Sequence, residues 1–230
     1  MTRSLLKQEA KKQLSKNFGT LILTGLLLGI IINLPNAIHS LGIPTSFATL
    51  QFAKTPESFM ELWRQIASTP SFIAYSCVSS LLGIMVCLIT PVLKLGVHHV
   101  YLKATTEEEP HFSEMFSKMP QFLQAFVTSL LTGIFVFLQF LLLIIPGIIA
   151  AYSYSMVYYV LVDHPEFGPM EAIKESKRIM KGHRFELFVL ELSFIWWYLL
   201  IAVTFGLAMI YVIPYVEMTK ANFYNQIKNA

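Results

Sequence analysis

Glu191 stands six residues inside an apolar stretch that opens at Phe185, where an ionisable side chain needs a partner or a purpose. A charge near the centre of a membrane helix costs about 2.5–3.5 kcal/mol on insertion scales, so such residues default to functional candidates. A proton or cation relay needs a second carboxylate, and Glu217 is the other acid in that region. A neighbouring apolar stretch carries Tyr152, Ser153, Tyr154, Ser155, Tyr158 and Tyr159, and Gln139 adds an amide. A path lined by Tyr152, Ser155, Glu191 and Gln139 would suit transport of a small solute. The structural alternative is preferred: the hydroxyls bond between helices, and Glu191 turns inward to a hydroxyl or to a cation such as Lys94.

A second constellation is basic. Lys174, Lys177, Arg178, Lys181 and Arg184 abut an apolar stretch. Each such residue beside an anionic leaflet contributes about 1 kcal/mol, so the cluster is a candidate for lipid head groups. Ordinary positive-inside topology accounts for the same residues. Other groupings carry less. His98 and His99 are adjacent, diverge by about 100° on a helix, and are expected at a solvated interface. Glu107, Glu108 and Glu109 read as a solvated loop face. Cys77 and Cys87, ten residues apart on one helix, are about 15 Å apart and cannot be bridged. The Gly25-x-x-x-Gly29 spacing permits close helix approach, with intramolecular packing expected over dimerisation. No P-loop, G-x-S-x-G, H-E-x-x-H, dinucleotide fingerprint or C-x-x-C is present. The expectation is a protein that is not an enzyme, with no catalytic residue, metal ligand or cofactor.

The elements that position these residues follow from composition and length. The chain has 230 residues, 55% hydrophobic and 13% charged. That is about half the charge a soluble domain carries, so much of its surface faces lipid, in keeping with a mean hydropathy of +0.58. A membrane-crossing helix takes about 20 mostly apolar residues. Residues 18–38 and 72–95 each suit one. The stretch 121–162 would be about 60 Å long as one helix, twice the hydrocarbon thickness. It must therefore fold back, and Ile145-Pro146-Gly147-Ile148 supplies a turn. That predicts helices over 121–145 and 148–162. The stretch 185–218 is again too long for one crossing, with Gly206 and Pro214 as break points. It is read as helices over 185–204 and 206–226, with the number of crossings left open.

Six crossings with both termini cytoplasmic leave only Lys54 and Arg64, of 17 basic residues, on the outer side. A mere kink at Pro146-Gly147 would move the cluster of five outside, which favours the hairpin. The basic leader, residues 1–17, repeats Leu6, Ala10, Leu14 and Phe18 every four residues. It is long for a signal-peptide n-region, and Asn36-Ala37-Ile38 is a poor cleavage site, so the first run reads as a retained anchor. Thr55-Pro56-Glu57 reads as the start of an external interfacial helix over 56–68, with Phe59, Met60, Trp63 and Ile66 on one face. Residues 169–181 form a cytoplasmic amphipathic helix with Met170, Ile173, the Lys177 stem and Met180 on one face and Gly182 at its C-cap.

The second half carries a longer pattern: Leu142 to Ile148 reading Leu-Leu-Ile-Ile-Pro-Gly-Ile, then Tyr158-Tyr159, Asp163 and Pro165. It continues with Ala172-Ile173, Ser176, Met180-Lys181-Gly182, Leu187-Phe188, Leu192-Ser193-Phe194-Ile195 and Trp197, and closes with Pro214-Tyr215, Thr219, Ala221 and Phe223-Tyr224. This string resembles the bacterial integral-membrane family of the domain of unknown function nine-seven-five, and the leader 5–18 resembles its N-terminus less specifically. Trp196 departs from that pattern, which expects a glycine before the tryptophan. The resemblance implies a polytopic bacterial plasma-membrane protein and carries over no reaction or catalytic residue.

The expected fold is all-α: a polytopic transmembrane helical bundle of about six membrane helices with short interfacial amphipathic helices, forming a single domain over 1–230. The expected function is that of a non-enzymatic membrane component acting through membrane lipids or another membrane protein, with no nucleic-acid partner. The alternatives are a small transporter or export factor, then a lipid-modifying enzyme.

Overall fold

The computed structural model describes residues 3–41, 55–106 and 108–228, and every regular element among them is helical. In chain order these are α1 (Arg3–Lys16), α2 (Phe18–Leu41), α3 (Pro56–Ala67), α4 (Pro70–Lys103), α5 (Phe122–Leu142) and α6 (Ile144–Ser153). Then follow α7 (Val157–Asp163), α8 (Pro169–Ile179), α9 (Arg184–Leu192), α10 (Ile195–Val203) and α11 (Met209–Ile227). Among the described residues five stretches are long and apolar enough to cross a membrane: Phe18–Leu41, Pro70–Lys103, Phe112–Leu142, Ile144–Asp163 and Arg184–Val203. The expected sixth segment does form a helix, α11, but Glu217, Lys220, Asn222 and Asn225 keep it out of that set. The chain divides into two compact units, residues 1–28 with 91–230, and residues 29–90.

In the larger unit two helical hairpins can be traced from local chemistry. The first joins α5 to α6. Its break lies at Leu143, whose backbone is extended (φ −163°, ψ 151°), and not at Pro146-Gly147. Pro146 instead occupies the first turn of α6, where the N–H it lacks would have no helical acceptor. Gly147 explains why the turn comes early: a Cβ there would collide with the Phe140 ring, so the glycine lets the two helices close on each other. The second hairpin lies within 185–218. The chain turns back through Phe205 (φ 49°) and Gly206 (φ 91°), and Phe194 and Trp197 then meet Tyr215 edge-on at 5.2 and 5.6 Å between ring centres. Such edge-to-face pairs are a preferred aromatic geometry.

The leader is a helix that docks. Leu6, Ala10 and Leu14 are fully buried, and α1 packs along α11. Lys7 donates to the Ser193 carbonyl (3.1 Å) at the end of α9 and lies 4.1 Å over the Phe194 ring. A cation at a helix C-terminus and over an aromatic face is favourable on both counts. Burial, then the neighbouring Lys11, lowers the Lys7 pKa from its ordinary value.

Helix α4 runs on past the expected end at 95 to Lys103: no proline follows Pro91, and the buried Leu95, Val97, Val100 and Tyr101 outweigh the glycine at 96. Tyr101 donates to the Leu21 carbonyl (3.2 Å), and its hydroxyl lies 3.6 Å from where a Gly25 Cβ would stand. The Gly25 position is thus used inside the chain, as expected. Gly96 is more constrained, since any Cβ would run into the Met115 carbonyl.

On and just past α8 the buried face matches the expected one at Ile173 and Met180 but differs elsewhere. Ala172, Ile173, Ser176 and Ile179 are buried, whereas Lys177 and Met170 are exposed. The reason is a close approach at Ser176, whose hydroxyl donates to the Ser153 carbonyl (3.0 Å). That contact centres the buried face on a small polar residue that an apolar count passes over. Gly182 ends the segment with φ 96°, the left-handed conformation expected of a C-cap glycine.

The smaller unit holds the second half of α2, helix α3 and the first part of α4. Pro35 of α2 faces Gly83 of α4. The His39 ring meets Phe72, and its Nδ1 lies 3.5 Å from the hydroxyls of Ser76 and Ser79. Helix α3 begins at Pro56 as expected. It buries Ile66 and exposes Phe59, Met60 and Trp63, the amphipathic pattern of an interfacial helix.

Candidate functional site

Glu191 and Glu217 do converge. Helix α9 places Glu191 opposite α11, and α6 brings Tyr152 from the other side. The Tyr152 hydroxyl donates to Glu191 Oε2 at 2.8 Å, and Lys220 Nζ lies 3.0 Å from Glu191 Oε1. The same ammonium stands 3.8 Å from Glu217 Oε1, one turn back on α11. One lysine therefore serves two carboxylates, each side chain 27–31% exposed. Burial pulls the Lys220 pKa down, but Glu217 and Glu191 together outweigh it and hold the ammonium above the ordinary lysine value.

The sequence reading named Glu191, Glu217 and Tyr152 but missed the cation. Lys94, the suggested partner, is exposed on α4, while Lys220 reaches Glu191 because α11 doubles back beside α9. The i, i+3 spacing of Glu217 and Lys220 was the available signal. Gln139 and Ser155, the other two residues expected to line a path, do not join this cluster among the described residues. The Ser155 hydroxyl instead donates to the Tyr152 carbonyl at 2.8 Å.

The basic candidates split by environment. Arg178 is held by Glu175 through two bonds of 2.7 and 2.8 Å, and that hydrogen bond keeps the Glu175 pKa low despite opposing burial. Lys174, Lys177 and Lys181 are exposed, and among the described residues no carboxylate lies within salt-bridge reach of them. Arg184 opens α9, with Nε buried and without a hydrogen-bond partner among the described residues.

A further polar group went unread in the sequence. Asp163 Oδ2 accepts from the Tyr224 hydroxyl and from Lys228 Nζ, both at 2.9 Å. These three, with Val160, His164, Glu175 and Ile179, line a cavity of about 270 Å³. Burial and Asp163 together push the Tyr224 hydroxyl pKa up, so it acts as a donor at any ordinary pH. Among the described residues no three of His, Cys, Asp and Glu converge in a metal-binding group. His98 is not at a solvated interface: its ring stacks on Tyr158 at 5.3 Å and meets Tyr159 edge-on at 4.6 Å. Of the acidic triplet, Glu107 lies outside the described residues, and Glu108 reaches Lys103 at 3.6 Å. Cys77 and Cys87 are free thiols.

An all-helical chain with five potential membrane-crossing helices, whose half-buried Glu191 and Glu217 share one lysine while a tyrosine hydroxyl donates to Glu191, has the construction of a polytopic membrane protein. Residues 134–230 match the model of a family described as Protein of unknown function (DUF975), so the resemblance drawn from the sequence holds over that part of the chain. No curated protein and no solved structure matches the chain.

Proposed function

We propose that the protein is a non-enzymatic component of a bacterial plasma membrane that works through contact with anionic lipid, held by the basic face of α8. The observation that carries this reading is the contrast on that helix. Arg178 is occupied by Glu175, while Lys174, Lys177 and, two residues past the helix end, Lys181 are exposed and meet no carboxylate among the described residues. Three ammonium groups beside an anionic leaflet contribute about 3 kcal/mol in total, which corresponds to more than a hundredfold in lipid occupancy. Charges spent on neutralising one another, such as Glu191 with Lys220, hold helices together; charges left unmatched are available to a ligand.

The arrangement of the chain ends supports a common side for both. Gln13 of α1 accepts from Asn222 of α11 at 2.7 Å, so the helix before the first span and the last helix pack together. With the positive-inside rule, that side is the cytoplasm. The test is lipid extraction from protein purified out of membranes containing phosphatidylglycerol and cardiolipin. The variant Lys174→Gln/Lys177→Gln/Lys181→Gln is expected to retain at least tenfold less anionic lipid than the parent. Equal retention would remove the reading.

A further inference from the structure

We propose that a second copy of this chain docks against α2 through Asn33, making the protein a twofold-symmetric dimer in the bilayer. The contacts concerned lie within the smaller unit and are independent of lipid recognition by α8. In that unit one side of α2 faces α4, through Pro35 against Gly83 and His39 against Ser76 and Ser79. At about 100° per residue, Asn33 and Ala37 each fall about 160° around the helix from Pro35, on the side turned away from α4. Ile30 (62% exposed) and Leu34 (44%) flank them, and Asn33, Ala37 and Ser40 are exposed as well.

Asn33 is the group that this setting cannot leave alone. It lies about 12 Å from the Leu41 end of a 24-residue helix, inside the stretch that hydrocarbon would surround. A carboxamide has two N–H donors and one carbonyl acceptor. One N–H is used, to the Gly29 carbonyl at 2.8 Å. Among the described residues the second N–H and the carbonyl oxygen have no partner, and water is absent from the bilayer core to supply one.

A second copy related by a twofold axis supplies both missing groups at once. Each Asn33 donates its remaining N–H to the other's carbonyl oxygen, so the two amides close a self-complementary pair. Amide bonds between membrane helices are an established source of association. The small side chain of Ala37 one turn on lets the two backbones approach, and Ile30 and Leu34 supply the apolar flanks. A partner of another sequence would need an amide at the same depth, whereas a copy carries it by construction.

The experiment is disulfide trapping in membranes with Cys77 and Cys87 replaced by serine. Ala37→Cys, on the Asn33 face, is expected to crosslink to a second copy, and Ile38→Cys, turned toward α4, is expected not to. Adding Asn33→Leu should reduce the Ala37→Cys dimer at least fivefold, while Asn33→Gln, which keeps an amide, should retain most of it. A dimer that survives Asn33→Leu undiminished overturns the proposal. So does equal crosslinking from both faces, or an Ala37→Cys adduct only with a different membrane protein.

Discussion

Lys220 sits between Glu191 and Glu217, and its charge holds the α9–α10 and α11 arms together. Because the two acids raise its pKa above the ordinary lysine value, its contribution to stability is complete below that ordinary value. It is lost only as pH rises through the folded-state pKa. Thermal unfolding in detergent should therefore not change on account of this group from neutrality to about pH 10 and should decline above it. Lys220→Met should cost about 1–3 kcal/mol, the worth of a charge-assisted bond, and should abolish the alkaline decline. Unchanged melting would mean that the pair contributes nothing. At this scale the sequence exposed the acids, because a carboxylate in an apolar run is conspicuous. It hid the lysine, because Lys220 lies near the chain end and becomes a partner only once the turn at Phe205 and Gly206 is made. Asp163 was hidden for a similar reason: Tyr224 and Lys228 reach it from a helix far along the chain.

Helix boundaries and faces were legible where a period or a cap dictates them. The start of α3 at Pro56 and the C-cap at Gly182 follow from local backbone chemistry. So does the buried face of α1, an apolar repeat every four residues. What tertiary contact decides was not legible. The α5–α6 break moved to Leu143 because Gly147 lets Phe140 close in, and the buried side of α8 shifted because Ser176 bonds to Ser153. Gly96 gives the sharpest test of such contact. A methyl there must displace the Met115 backbone, so Gly96→Ala should destabilise the protein by about 1–3 kcal/mol, the usual cost of overpacking. Gly133 has open space around its missing Cβ, so Gly133→Ala should leave the melting temperature unchanged or raise it. If the two variants melt alike, the close approach at Met115 is not a constraint on the fold.

For the whole molecule, the six crossings expected from apolar length would gather nearly all the cations on one side. Lys177 is exposed on α8 and reports that side directly. In a background free of Cys77 and Cys87, Lys177→Cys should resist an impermeant thiol reagent in intact cells and react once the membrane is opened. Labelling from outside would invert the arrangement proposed above. Ser176, its neighbour, is a poor reporter because it is wholly buried. The membrane setting was readable from composition, since 13% charged residues cannot clothe a soluble protein of this size, and the all-helical class from apolar stretches about 20 residues long.

Helix α4 has 34 residues, about 51 Å of rod against a hydrocarbon layer of about 30 Å. It can be accommodated by leaning over, by bending at Pro91 or by standing proud of the lipid, and the balance among these depends on how thick that lipid is. Acyl-chain length thus becomes a lever on the angle of this rod, applied without any ligand.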